Sequence, residues 1–174
     1  GEYFDVEFTE VISTKEIVER LNGTMAEGMQ VLSARRVEDG KASKAMALVA
    51  AADYYVEFRE GKEPKSDWKD KISQFLSQEE ILVTKKTKKS EKEVNIRPFI
   101  YKMELHEDKI FYMLASASAN YTKPELVTDT FFQWMGEELS PFAYAVERLE
   151  VYANTGTEEK PMFVPLEALG EEVE

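Results

Sequence analysis

The 174-residue sequence contains no cysteine and a single histidine, His106. Without a thiolate, the chain can form no disulfide and can ligate neither a zinc-thiolate site nor an iron–sulfur cluster. One imidazole also leaves no His-based metal site and no histidine to spare for a Ser-His-Asp arrangement. No apolar run approaches the ~20 residues needed to span a bilayer, and the first residues lack the basic-then-apolar segment and small-residue cleavage site of a signal peptide. These absences predict a soluble, cytoplasmic protein with no membrane partner. Walker-type, Gly-x-Gly-x-x-Gly and Gly-x-Ser-x-Gly motifs are missing as well. Positive charge is scarce: 22 basic against 34 acidic side chains give a formal net charge of -12. That charge opposes nonspecific binding to a polyanion, so any nucleic-acid contact must be local.

What is present is core-forming material: 43% hydrophobic and 11% aromatic residues. Phe4, Val6 and Phe8 alternate with polar neighbours as in a half-buried strand. A chain that begins inside a strand without Met reads as a fragment. Ser13 and Glu16 have capping-box spacing before an amphipathic stripe of Ile17, Val18 and Leu21, and Gly23 sits at the C-cap position. Residues 29–37 then read as a second strand, giving β-α-β. After a turn at 38–41, the Ala-rich run from Ser43 predicts a helix, and residues 53–60 predict a strand. Ser66 precedes a helix carrying Trp68, Ile72, Phe75 and Leu76. Strands follow on either side of a charged tip, with Pro98 marking an edge or bend, and a hairpin turns at Glu107 and Asp108. A helix at 124–136 buries Leu126, Val127, Thr130, Phe131, Trp134 and Met135, and a strand spans 145–154. The acidic remainder is expected to be loosely held, with Met162, Phe163 and Leu166 available to dock.

The predicted fold is α+β: a ferredoxin-like split βαβ unit with inserted hairpin strands, preceded by the βαβ half-unit of a second ferredoxin-like domain. The corresponding boundaries are 1–40 for the partial unit, 41–154 for the main domain and 155–174 for the tail.

Between residues 81 and 102, seven basic side chains face two acidic ones. Lys85, Lys86, Lys88, Lys89 and Lys92 surround a hairpin tip where they could meet successive phosphates, with Asn95, Arg97 and Tyr101 positioned for further contacts. The same lysines would serve equally as a solvated edge that resists aggregation. A second cluster, Ser118, Asn120 and Lys123, precedes a helix start, where N–H groups can receive an anion or be used in ordinary capping. His106, flanked by Glu104, Glu107 and Asp108, reads as a solvated turn or a weak cation site. Asp5, Glu7, Asp53 and Glu57 fall on polar strand faces, and nothing selects a catalytic pair. No cofactor and no metal site is read from the residues.

The segment EEILVTKKTKKSEKEVNIRPFI, with its core from Thr87 to Pro98, resembles the signature of the radical SAM-linked proteins, a bacterial family of unknown function. The opening GEYFDVEFTE, the block KAMALVAAADYYVEF and the turn from Asn120 to Glu125 are similar to other blocks of that family, so the likeness runs from Gly1 to about Ala153. The resemblance implies a radical SAM protein as partner. It also implies an upstream segment with a Gly-Phe-Asn-Pro-like loop, which this sequence does not contain. The tandem ferredoxin-like order is similar in outline to tRNA pseudouridine synthases, but their Arg-Thr-Asp context is not found, and no catalytic residue is carried over. The expected function is an accessory module acting with a radical SAM protein on RNA or a ribosome-associated target. The alternatives are an RNA-modifying enzyme whose active-site portion lies upstream, and a protein-interaction module.

Overall fold

The computed structural model describes residues 2–37, 45–86 and 91–174, apart from the side chains at 46, 85 and 86. In chain order its elements are α1 (Thr14–Asn22), α2 (Ala45–Leu48), β1 (Val49–Phe58), α3 (Ile72–Leu76), β2 (Leu82–Lys86), β3 (Glu91–Asn95), β4 (Ile100–His106), β5 (Lys109–Ala115), α4 (Pro124–Trp134), β6 (Tyr144–Asn154) and β7 (Phe163–Pro165). A five-stranded sheet has the order β4-β5-β1-β6-β7, and β2 and β3 form a separate two-stranded sheet. This is a mixed α/β fold. By compactness the chain divides into Ala50–Glu150, and Glu2–Val49 with Val151–Glu174.

In the first unit, β1 pairs antiparallel with β5 from Ala51↔Ala115 to Val56↔Ile110, and β5 pairs antiparallel with β4. The end of β1 meets the start of β6, where the Arg59 N–H donates to the Ala143 carbonyl at 2.8 Å, so that pair is antiparallel too. Strand alternation buries Ala52, Tyr54 and Val56 of β1 with Ile110, Tyr112 and Leu114 of β5. Ile72 and Phe75 of α3 and Pro124, Val127, Thr128, Phe131 and Phe132 of α4 are the buried residues of these two helices. The rings interlock edge to face: Phe75 with Phe131 at 5.1 Å, Phe131 with Phe132 at 5.0 Å, and Phe58 with Phe132 at 5.6 Å. Each such pair adds about 0.5–1.5 kcal/mol beyond the area it buries. Tyr112, fully buried, places its hydroxyl 3.0 Å from Thr128 Oγ1, which donates to the Pro124 carbonyl at 2.8 Å. Burial raises the Tyr112 pKa and keeps the phenol neutral.

The β4–β5 turn closes at Glu107 and Asp108 as the sequence predicts, although neither residue is Asn or Gly. Glu107 takes φ 56, which tight hairpins usually assign to Gly or Asn. Asp108 is anchored by Lys69 Nζ at 2.5 Å. Just past the end of α4 at Trp134, Gly136 takes a φ of 79 that lets the Glu137 N–H reach the Phe132 carbonyl at 2.9 Å.

Four local expectations are corrected. Residues 53–60 do lie largely in a strand, but β1 begins at Val49, and the Ala-rich run supplies only the four-residue α2. Small side chains fit where Ala51 and Ala52 are completely buried, and that tertiary demand overrides helix propensity. Ser66 caps no helix. Its N–H and hydroxyl, with the Lys65 N–H, all donate to the Glu137 carboxylate, and the Trp68 segment folds as a 3-10 turn followed by α3. On α4 the buried face is rotated toward Thr128 and Phe132, leaving Trp134 38% exposed. Thr128 is hidden from an apolar-pattern reading because its hydroxyl is satisfied inside the helix.

The fourth correction concerns the expected N-terminal β-α-β half-unit. Helix α1 forms, with Ser13 Oγ accepting from the Glu16 N–H at 3.1 Å. Residues 2–8 join no strand, and residues 29–37 contribute only an isolated bridge from Arg36 to Glu171. Phe4, Val6 and Phe8 are 43–59% exposed. Alternation defines a face, whereas a strand also requires a ladder partner. The turn at 38–41 and the cap Ser43 fall outside the described residues.

In the second unit the last residues of β6 pair with β7, from Tyr152↔Pro165 to Asn154↔Phe163. Leu166 is buried and Met162 exposed. Arg35 binds Glu167 and Glu172, while the Thr14 N–H donates to the Val173 carbonyl at 3.0 Å. A Cβ at Gly170 would lie 2.6 Å from Arg35 Cβ, so this approach requires glycine.

The packing is open to two tests. Phe132→Ala should lower unfolding free energy by about 3–5 kcal/mol in denaturant titration, because it empties the space between the rings of Phe58, Trp68 and Phe131. Burial opposes ionisation of Glu137, but its donors from Ser66 and Lys65 outweigh it and hold the pKa below the usual carboxylate range. A depressed folded-state pKa stabilises the fold above the unfolded value and loses that contribution as pH falls through the folded one. Glu137→Gln should therefore reduce stability at pH 7 and flatten the acid limb of a thermal-melt series below about pH 4.

Candidate nucleic-acid interface

The basic segment folds as the expected hairpin, with the register Leu82↔Asn95, Val83↔Val94, Thr84↔Glu93, Lys85↔Lys92 and Lys86↔Glu91. Its base is apolar: Ile81 and Val83 are buried and Ile96 is fully so. The Ile96 N–H donates to the Ile81 carbonyl at 2.8 Å. Toward the tip, Glu91, Lys92 and Glu93 are exposed.

Two polar side chains fix this base. Asn95 Oδ1 accepts from the Ile81 N–H and from the Arg97 N–H, each at 3.0 Å. The second bond is an Asx-type turn that bends the chain out of β3. Arg97 sends Nε to the Leu76 carbonyl at 2.8 Å and Nη1 to the Ile100 carbonyl at 3.3 Å, tying the end of α3 to the start of β4. Arg97 is also the first residue of the 3-10 turn Arg97–Phe99, so Pro98 marks the bend the sequence predicts. Both residues thus root the hairpin, a role that reading them as phosphate or base contacts missed. The signal was available in Asn-x-Arg-Pro at a strand end.

The lysines stand differently. Lys92 is exposed on β3, Lys85 and Lys86 occupy β2, and Lys88 and Lys89 lie outside the described residues. The register sets Lys85 directly opposite Lys92. Like charges at opposed positions destabilise a two-stranded ladder.

The second candidate cluster lies on the β5–α4 connection. Ser118, Asn120 and Lys123 are exposed there. The Asn120 N–H donates to the Ala117 carbonyl, and the Asn120 carbonyl accepts from the buried Thr122 hydroxyl at 3.1 Å. Lys123 is the N-cap of α4 and gives no side-chain cap bond. Its turn chemistry accounts for Asn120 locally.

His106 lies between partners: Nδ1 is 3.1 Å from the Tyr55 hydroxyl, Nε2 is 3.2 Å from Glu104 Oε2, and the ring stacks on Phe111 at 4.8 Å. Among the described residues no group of three or more His, Asp or Glu side chains could hold a metal ion, and no helix is long and apolar enough to cross a membrane.

The family model DUF2344, described as an uncharacterized protein conserved in bacteria, matches residues 1–124, a span that includes the whole hairpin. No curated protein and no solved structure matches the chain.

Removing the Asn95 carboxamide would orphan two backbone donors at the hairpin base. Asn95→Ala should cost about 1–3 kcal/mol in denaturant unfolding. Hydrogen exchange should accelerate most in β2 and β3, and uniform acceleration across the five-stranded sheet would contradict this assignment.

Proposed function

We propose that this chain, which belongs to the DUF2344 family of uncharacterized proteins conserved in bacteria, is a noncatalytic accessory module that binds RNA through the β2–β3 hairpin. The observation that carries this reading is the opposition of Lys85 and Lys92 in a sheet of its own. Folding alone disfavours that pairing, whereas a phosphate backbone laid against the hairpin would neutralise it. The root formed by Asn95 and Arg97 supports the same reading, since a fixed base limits the ordering cost of binding. The acidic remainder of the chain would confine contact to this one place and discourage nonspecific association.

The radical SAM protein remains the proposed partner, on the resemblance of residues 79–100, with the cytoplasm as the proposed setting. A cysteine-free chain can contribute no ligand to that protein's cluster, so its part would be recognition. The unit Ala50–Glu150 is proposed to be a ferredoxin-like split βαβ unit. The succession β1, α3, β4, β5, α4, β6, with β1 between β5 and β6 and the hairpin inserted after α3, supports that finer description.

The test is fluorescence anisotropy with a single-stranded RNA oligonucleotide across about 50–200 mM salt. Wild type should bind with a negative slope of log K against log salt. Combining Lys85→Glu, Lys86→Glu, Lys88→Glu and Lys89→Glu should weaken binding at least tenfold and make the slope shallower by about 0.7 for each phosphate no longer neutralised. Unchanged affinity and slope would contradict the proposal.

A further inference from the structure

Between α4 and the start of β6 runs an open groove of about 710 Å³, lined among others by Arg59, Glu125, Asp129, Glu138, Phe142 and Tyr144. Its three carboxylates outnumber the cations, which are the Arg59 guanidinium in the lining and the Lys62 ammonium on the Pro141 carbonyl. Asp129 is held in place by the Tyr144 hydroxyl, which donates to its Oδ1 at 2.8 Å. Burial, followed by that bond and the charges of Asp129 and Glu125, raises the Tyr144 pKa and keeps the donor protonated. The lining thus carries an excess of negative charge, a poor seat for a phosphate and a better one for a cation.

Phe142 is anomalous on two counts. The Ala143 N–H donates to the Ser140 carbonyl at 3.1 Å, closing a four-residue turn with Pro141 second and Phe142 third. Phe142 has φ 55, and turns that need a positive φ at the third position favour Gly or Asn there. Its ring is also 82% exposed. The turn itself is fixed without the ring, by the Arg59 N–H on the Ala143 carbonyl and by Lys62 Nζ on the Pro141 carbonyl, each at 2.8 Å. Neither backbone preference nor packing therefore accounts for a phenyl group at this position.

We infer that the groove docks an arginine-bearing segment of a partner protein, with the Phe142 ring against a guanidinium face and Glu125, Asp129 and Glu138 receiving its N–H groups. Arginine suits both halves of the site, because its planar cation stacks on a ring and forks onto carboxylates, whereas an ammonium does neither as well. Charge complementarity selects this occupant over nucleic acid. The inference is independent of whether the hairpin binds RNA.

The experiment uses the 174-residue chain and a labelled nonapeptide of alternating arginine and glycine, with the lysine counterpart as comparison. Affinity is read by anisotropy, location by amide chemical shifts, and stability by thermal melts of each variant. Phe142→Gly suits the positive φ, so its melting temperature should equal or exceed that of wild type, while affinity for the arginine peptide falls about tenfold. Glu125→Gln with Glu138→Gln should weaken binding similarly, the lysine peptide should bind more weakly than the arginine one, and shifts should converge on the groove. Several outcomes would each overturn the proposal: no binding, equal binding by Phe142→Gly, shifts scattered over the acidic surface, or a lower melting temperature for Phe142→Gly.

Discussion

The functional reading depends on how the hairpin is rooted. Two backbone N–H groups converge on one Asn95 oxygen, and the Arg97 guanidinium spans the Leu76 and Ile100 carbonyls. A two-stranded hairpin in water is marginal by itself. Here Ile81, Val83 and Ile96 bury its base, and the polar clamps satisfy the backbone where β3 gives way to a 3-10 turn. Lysines on an unrooted loop would still attract phosphate, but each contact would have to offset the entropy of ordering the loop.

The core beneath is aromatic. Phe58, Phe75, Phe131 and Phe132 interlock between the helices and the sheet, and Tyr112 and Thr128 pass a hydrogen-bond chain through the same layer. Because that layer fixes α3, it also fixes the Leu76 carbonyl on which Arg97 depends. Packing and the candidate interface are in this way linked through one residue. Charge is distributed unevenly within the unit Ala50–Glu150, with lysines on the hairpin strands and carboxylates along the α4–β6 groove, and the two proposed contacts rest on that contrast.

The sequence made some of this legible and obscured the rest for definite reasons. Both hairpins, α4, β6 and the Ser13 cap follow from local patterns, and the structure bears them out. The Ala-rich run misled, since Ala51 and Ala52 are chosen by a crowded sheet centre and not by helix propensity. Ser66 looked like a cap, yet its partner Glu137 lies 71 residues away, beyond any local rule. Phe4, Val6 and Phe8 alternate as a strand would, but residues 2–8 enter no ladder. At the candidate site, the charge of the lysines was readable. The duties of Asn95 and Arg97 were not, because the carbonyl groups and N–H donors they serve become neighbours only after folding. Phe142 passed unnoticed because an exposed ring at a positive φ leaves no mark in composition or periodicity.

The most direct test of the central claim is a map of amide chemical-shift changes in the isotopically labelled chain as a single-stranded RNA oligonucleotide is added. Saturable changes should concentrate between residues 82 and 95, with the α4–β6 groove silent. Changes centred on the five-stranded sheet or the groove, or none at RNA concentrations that saturate a basic control protein, would contradict it.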